Sequence, residues 1–79
     1  MKVKALSLRG ILFEGEALSV NVKTQSGDVT ILDHHRPLIS VLSAGRAVIT
    51  DSAGAKKTIP VRSGFLEMSR QNELSLLID

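Results

Sequence analysis

The segment GDVTILDHHRPL, residues 27–38, contains both histidines of the chain, between an aspartate and an arginine. Imidazole and carboxylate groups are among the ligands that zinc takes in proteins. The candidate ligands here are Asp28, Asp33, His34 and His35. Adjacent residues of an extended chain point to opposite sides, so the two histidines can share an ion only if a turn re-aims one of them. Because the i, i+4 histidine spacing of a helical zinc site is absent, we favour an exposed turn that ends at Pro37.

Two carboxylates, Glu14 and Glu16, flank Gly15 and would project from one face of a strand, an arrangement that a paired acid and base requires. Nothing around them predicts the burial that would give the two groups different roles, so we interpret them as solvated charges at a sheet edge. The chain has no cysteine, no G-x-S-x-G elbow and no G-x-x-x-x-G-K-S/T phosphate loop. We therefore expect no cysteine or serine catalysis and no nucleotide hydrolysis by this chain.

Composition excludes further classes of protein. Ten Lys and Arg are interspersed with eight Asp and Glu, and the chain has only two aromatic residues, which leaves a nucleic-acid binder neither a basic surface nor a stacking platform. No apolar run approaches the roughly 18 residues of a membrane span, and the start MKVKALSLRG lacks the apolar core of a signal peptide. At 79 residues the chain is one domain that depends on its apolar core alone, and we expect no deep enclosed pocket.

Apolar residues recur with a period of two along most of the chain, which predicts strands with one buried face. The alternating residues are Leu18, Val20 and Val22; Ala47 and Ile49; Ile59 and Val61; and Leu74, Leu76 and Ile78. The shorter runs VKAL, DVTIL and LISVL are apolar enough to be interior strands. No segment has the i, i+3, i+4, i+7 spacing of an amphipathic helix, so we expect no substantial helix.

Turn signals recur every 8–12 residues or so, which is typical of a small antiparallel sandwich or barrel. The segment DSAGAK, around Gly54, joins two alternating runs and predicts a hairpin. Pro60 lies within a strand-like run, and because proline cannot donate to a ladder, we predict that this strand is an edge strand or carries a bulge.

Four segments in register resemble the N-terminal domain of the epsilon subunit of the rotary F-type ATP synthase. They are FEGE at residues 13–16, GDVTILDHHRPLISVLSAG at 27–45, SGFLEMS at 63–69 and the closing LLID. The resemblance covers all 79 residues. Members of that family commonly have LPGHAPL in the loop, where this chain has Asp33 and His34 in place of the proline and glycine and Arg36 in place of the alanine.

The resemblance implies a flattened, antiparallel, all-β sandwich of about ten strands. It also implies a mechanical, non-catalytic role without a cofactor: the epsilon domain packs against the gamma subunit in the central stalk and sits on the polar loops of the membrane ring of c subunits. Proton flow turns this rotor, and ATP forms in other chains. The protein would then be peripheral, without membrane insertion, on the cytoplasmic face of the bacterial inner membrane, and a monomer when isolated.

Contact residues can be assigned at positions that match the family. Asp28 would face the ring, where a charge-assisted hydrogen bond would fix register. Ser7, His35 and Ser40 would face gamma, and His34 has no counterpart. Most of the family continues into two C-terminal helices that bind ATP or inhibit hydrolysis. This sequence stops at Asp79, so we expect residues 1–79 to form a single domain without the helical domain.

Two other classes of protein remain open. One is a stand-alone β-sandwich interaction module, which would have no affinity for gamma. The other is a small metal-binding protein that uses Asp33, His34 and His35, which a divalent ion would stabilise.

Overall fold

The computed structural model describes all 79 residues and contains nine β-strands and no helix. The strands are β1 (Lys2–Ser7), β2 (Gly10–Glu16), β3 (Ser19–Thr24), β4 (Gly27–Leu32), β5 (Leu38–Leu42), β6 (Gly45–Thr50), β7 (Lys56–Val61), β8 (Gly64–Met68) and β9 (Glu73–Ile78). The all-β prediction is confirmed, with nine strands where the resemblance implied about ten. No helix is present that is long and apolar enough to cross a membrane.

The strands form two layers that meet at a single residue pair. Strand β5 pairs with β3 only through Leu42 and Thr24, whereas every other neighbouring pair shares three or more residues in register. We therefore describe a five-stranded layer with the order β2-β1-β9-β8-β5 and a four-stranded layer with the order β4-β3-β6-β7. The two layers pack face to face as a sandwich, nearly closed on the side where β3 and β5 meet.

All but one of the strand pairs are antiparallel. The exception is the parallel pair of β1 and β9, in which Val3 lies opposite Leu74 and Ala5 opposite Leu76. The predicted antiparallel sandwich thus contains one parallel pair, which the prediction did not include. Local turn signals predict only hairpins between consecutive strands, and a parallel pair requires a long connection, which here is most of the chain.

One apolar core lies between the layers, built from alternate residues of both. The predicted inner residues Val20, Val22, Leu74 and Leu76 are each at most 1% exposed. Leu18 differs from the prediction because it is 51% exposed and precedes β3. Its neighbour Ala17 is buried instead, and Val20, two residues after Leu18, is the first buried residue of β3.

The hairpin and edge predictions are confirmed. Residues 51–55 connect β6 to β7, and the Asp51 side chain accepts hydrogen bonds from the backbone amides of Ala53 and Ala55. Gly54 completes the turn with a φ of 85°, a conformation that glycine adopts without steric penalty. Pro60 lies on β7, which pairs only with β6 and forms one edge of the four-stranded layer.

Candidate subunit-contact surface

Five apolar side chains form a row across the outer face of the five-stranded layer, one from each strand. In order of the strands the row consists of Ile11, Leu6, Leu77, Phe65 and Val41, each directly opposite the next. Phe65 and Leu77 are 56% and 55% exposed, although their chain neighbours Leu66 and Leu76 are buried in the core. We call these five residues the apolar row, and it crosses the full width of the layer.

The row continues at one end of the sandwich into an open depression of about 580 Å³. Ser7 and Leu8 contribute to its wall, and Leu8 is fully exposed. The Ser7 hydroxyl accepts a hydrogen bond from the backbone amide of Arg9, which holds the β1–β2 turn in place. An apolar surface that spans five strands is a feature of protein contact sites rather than of the scattered apolar residues found on any surface.

The sequence contains a signal for the apolar row that the alternation of apolar residues does not reveal. Several strands of this layer carry an apolar doublet at the same end of the sheet: Val41-Leu42, Phe65-Leu66 and Leu76-Leu77. In each doublet one residue faces the core and the other faces outward, because successive side chains of a strand alternate. Doublets at matching register positions therefore indicate a strand end that is apolar on both faces.

A second, polar feature lies at the opposite end of the same layer. The β4–β5 loop and the β8–β9 turn enclose a depression of about 380 Å³, and six of its seven lining residues have polar or charged side chains. Its lining residues are His34, His35, Arg36, Pro37, Ser69, Arg70 and Asn72. We call this depression the cationic pocket, because both of its arginines are exposed and neither belongs to any of the four ion pairs of the structure.

The loop and the turn are joined by the side chain of Asn72. Its Oδ1 accepts a hydrogen bond of 2.6 Å from the backbone amide of His34, and its Nδ2 donates one of 2.8 Å to Oδ1 of Asp33. His34 and Asn72 both have a φ near +60°, which is uncommon outside glycine and marks two tight turns held by their surroundings. The cationic pocket is therefore built on an ordered scaffold.

The scaffold includes the N-terminus of the chain. The buried α-ammonium of Met1 donates hydrogen bonds to the carbonyl of Ala17 and to Oδ1 of Asp33. The bond from the Met1 ammonium, and next that from the Asn72 side chain, hold the pKa of the Asp33 carboxyl below its ordinary value of 3.8. The Asp33 charge is thus already matched by that of the ammonium and leaves the arginines of the pocket uncompensated.

The proposed metal ligands do not converge. His34 Nε2 lies 3.6 Å from Asp33 Oδ2, and His35 Nδ1 donates a hydrogen bond of 2.8 Å to the carbonyl of Arg36. No group of three or more histidine and acidic side chains comes together in the structure. Asp28 is separated from the others because it lies at the far end of β4.

The four residues assigned by the resemblance are spread along the sandwich. Ser7 lies beside the apolar row and His35 in the cationic pocket, at opposite ends of the five-stranded layer. Ser40 is half-buried in β5, on the side opposite that of Ile39 and Val41. Asp28 is exposed on β4, an edge of the four-stranded layer, opposite Lys23 and outside every ion pair. The structure thus groups none of the four with another.

The paired glutamates, Glu14 and Glu16, lie on β2, the outer strand of the five-stranded layer, and both are exposed. Glu14 pairs with Lys4 at 3.8 Å and Glu16 lies 3.9 Å from the Met1 ammonium. Their positions agree with the interpretation as solvated edge charges.

A family model and the curated relatives of this chain agree on one family. A family model described as the β-sandwich domain of the ATP synthase delta/epsilon chain matches residues 1–79. The chain is 39% identical over 71 residues to the ATP synthase epsilon chain of Endomicrobium trichonymphae, covering 90% of this chain and 51% of that one. It is 37% identical over 68 residues to the epsilon chain of Streptomyces coelicolor, covering 86% and 54%. The chain therefore spans about half the length of these curated relatives.

Solved structures share the fold at low sequence identity. A chain of the Euglena gracilis mitochondrial ATP synthase, solved with OSCP, F1 and c-ring, superposes with a TM-score of 0.89 at 14% identity, over 96% of this chain and 48% of that one. A chain of the central stalk and c-ring of the Tetrahymena thermophila enzyme gives 0.83 at 13% identity, over 99% and 62%.

Proposed function

Because the chain belongs to the family of the ATP synthase delta/epsilon chain β-sandwich domain, we propose that it is a non-catalytic rotor subunit of a proton-translocating ATP synthase. In this role it joins the gamma subunit of the central stalk to the membrane ring of c subunits, while ATP forms on other chains. Its place would be peripheral, on the cytoplasmic face of the bacterial inner membrane. The names of its relatives, each an ATP synthase epsilon chain, support membership of the complex.

The observation that carries this proposal is the apolar row. A stalk subunit that transmits torque needs a contact surface that stays closed while the rotor turns, and desolvated apolar side chains at the centre of an interface serve that purpose. Phe65 and Leu77 lie at the middle of the row, directly opposite one another, and each exposes more than half of its surface. We propose that gamma covers this row, with Ser7 at its border.

The other assigned residues fit the same surface to different degrees. His35 lies on the same layer, one strand length from the row, and would extend the gamma contact. Ser40 is half-buried in β5, which forms a free edge apart from its single pair with β3, so gamma could reach it along that edge. Asp28 belongs to the other layer, where its carboxylate is free to accept hydrogen bonds from the ring.

A titration of the isotope-labelled chain with purified gamma subunit from the same source tests the proposal. We expect the backbone resonances of Leu6, Phe65 and Leu77 to shift or broaden, and those of the Gly54 hairpin, at an edge of the other layer, to remain unchanged. A stable contact would bury about 800 Å² on each partner. Resonances that stay fixed at high micromolar gamma would overturn the proposal and favour a stand-alone interaction module.

A further inference from the structure

The apolar row and the cationic pocket lie on one continuous strip of surface along β5 and β8. The pocket shares Pro37, Ser69 and Arg70 with an adjoining depression that reaches Ile39 and Glu67. A further depression continues from Ile39 and Glu67 to Phe65 and Leu77, and the apolar depression shares those last two residues. The strip is apolar at one end and cationic at the other, so a partner seated on the row also extends toward the pocket.

The pocket presents donors in excess over acceptors. Arg36 and Arg70 approach it from two different loops, and neither guanidinium is paired within the chain. Ser69 Oγ already accepts hydrogen bonds from the backbone amides of Gln71 and Glu73, which occupies both of its lone pairs and leaves its proton free to donate. Planar guanidinium groups match carboxylates, which accept two parallel hydrogen bonds from one arginine.

The acidic groups near the pocket do not neutralise it. Asp33 is matched by the Met1 ammonium, as described above. Glu67 lines the adjoining depression together with Arg70 but lies beyond ion-pair distance from it, and Glu73 begins β9 after the turn and is likewise unpaired. An incoming carboxylate would therefore meet two free guanidinium groups without first displacing a carboxylate of the chain.

We infer that the cationic pocket binds acidic side chains of the gamma subunit. These side chains would lie about 13 Å from the gamma residues that cover the apolar row, because four strand residues separate Pro37 in the pocket from Val41 in the row. This inference rests on the proposed function and deepens it, because it states what the partner must present. The partner surface is apolar where it meets Phe65 and Leu77 and acidic one strand length away. Charges at such a separation fix the orientation of the partner along the strip and speed the encounter.

The test measures gamma binding of the double variant Arg36→Gln/Arg70→Gln. The matched control is Arg46→Gln/Lys57→Gln, which removes the same charge from exposed positions of β6 and β7 in the other layer. Affinity is measured by calorimetry at low salt and again at about 0.5 M salt, where the screening length falls to roughly 4 Å. We expect the pocket variant to bind about five- to tenfold more weakly at low salt, the sum of two exposed ion pairs. The difference from wild type should nearly vanish at high salt.

The outcomes separate the inference from the proposed function. If wild type binds gamma and the pocket variant binds equally well, or if both double variants lose the same affinity, the pocket inference is overturned while the rotor role stands. If wild type does not bind gamma, both are overturned. A third arm adds inorganic phosphate to the chain alone: a millimolar phosphate site at His35, together with unchanged gamma affinity of the variant, would identify a small-anion site and also overturn the inference.

Discussion

The α-amino nitrogen of Met1 lies 2.5 Å from Oδ1 of Asp33. This hydrogen bond joins the residue before β1 to the loop that follows β4. The bond crosses from the five-stranded layer to the four-stranded layer at the end that carries the cationic pocket. Asn72 donates to the same oxygen and adds the β8–β9 turn to the link. One carboxylate thus organises the chain terminus, the β4–β5 loop and the β8–β9 turn.

The depressed pKa of Asp33 predicts a defined dependence of stability on pH. In the unfolded chain the carboxyl titrates near 3.8, and in the folded chain below that value. Between these two values the unfolded state binds more protons, so the stability contributed by Asp33 is complete above about pH 4 to 5 and is lost as pH falls through the folded pKa. We expect Asp33→Asn to lower the free energy of unfolding at pH 6 and to lower it by progressively less as the pH falls below 3.8.

Urea unfolding of wild type and variant between pH 2 and pH 7 measures this effect. Asp28→Asn is the matched control, since Asp28 is an exposed aspartate outside every ion pair. A destabilisation by Asp33→Asn that is the same at pH 2 and pH 6 would show that packing, and not the charge, connects Asp33 to the N-terminus.

Gly64 should be the glycine least tolerant of substitution. A Cβ at this position would lie 2.0 Å from the backbone carbonyl oxygen of Leu77, and a backbone atom in a paired strand cannot move aside cheaply. We expect Gly64→Ala to lower the free energy of unfolding by roughly 3 kcal/mol or more. Gly10→Ala is the control, because Gly10 also has a positive φ but has no atom within 4 Å of the added carbon. Urea unfolding measures both variants. If they lose the same free energy of unfolding, the positive φ, and not the close approach to Leu77, causes the loss.

The apolar row can be tested with a pair of leucines of nearly equal exposure. Leu77 is 55% exposed within the row, and Leu18 is 51% exposed before β3, away from it. Neither Leu77→Ser nor Leu18→Ser should change the free energy of unfolding by more than about 0.5 kcal/mol, since both side chains are largely in water. We expect Leu77→Ser to weaken gamma binding by about tenfold or more, as at an interface centre. Calorimetry that finds the same affinity for both variants would remove the row from the contact surface.

Asp28→Lys tests the assignment of the ring contact. Asp28 is exposed at the edge of the four-stranded layer, so the isolated variant should fold and melt as wild type does. In a reconstituted enzyme we expect weaker rotor assembly and reduced ATP-driven proton pumping, because a repulsive charge would replace a hydrogen-bond acceptor. Proton pumping at the wild-type rate by an enzyme that contains the variant would contradict a role for Asp28 at the ring.

Local sequence patterns predicted the features that depend on neighbours along the chain. The inner faces of β3 and β9, the Gly54 hairpin and the edge position of Pro60 follow from alternation, turn chemistry and the missing proline amide. The parallel pairing of β1 with β9 could not be predicted in this way, because the paired residues are about 70 positions apart and no turn signal connects them. Leu18 shows that alternation alone does not locate a strand end.

The proposed contact surface could be predicted from the sequence only in part. Ser7, His35 and Asp28 came from the resemblance, and Arg36 was visible as a departure from the family loop. Arg70 could not be assigned to the same pocket, because its turn meets the β4–β5 loop through the pairing of β5 with β8 and the hydrogen bonds of Asn72, both between residues far apart in the sequence. The Met1 bond to Asp33 likewise joins residues 32 positions apart, for which the sequence carries no signal.

The parallel pairing of β1 and β9 also determines when the molecule can fold during synthesis. Of the nine strands, β1 leaves the ribosome first, yet one of its two neighbours in the layer is β9, the last of the nine to be made. The four-stranded layer, whose strands all lie between Ser19 and Val61, can assemble earlier. Pairing two strands that are so far apart in the sequence has a large entropic cost of loop closure, and this cost slows folding. The five-stranded layer, with its apolar row, is therefore completed only after β9 has been made, and until then its first two strands are a hairpin that needs protection from aggregation.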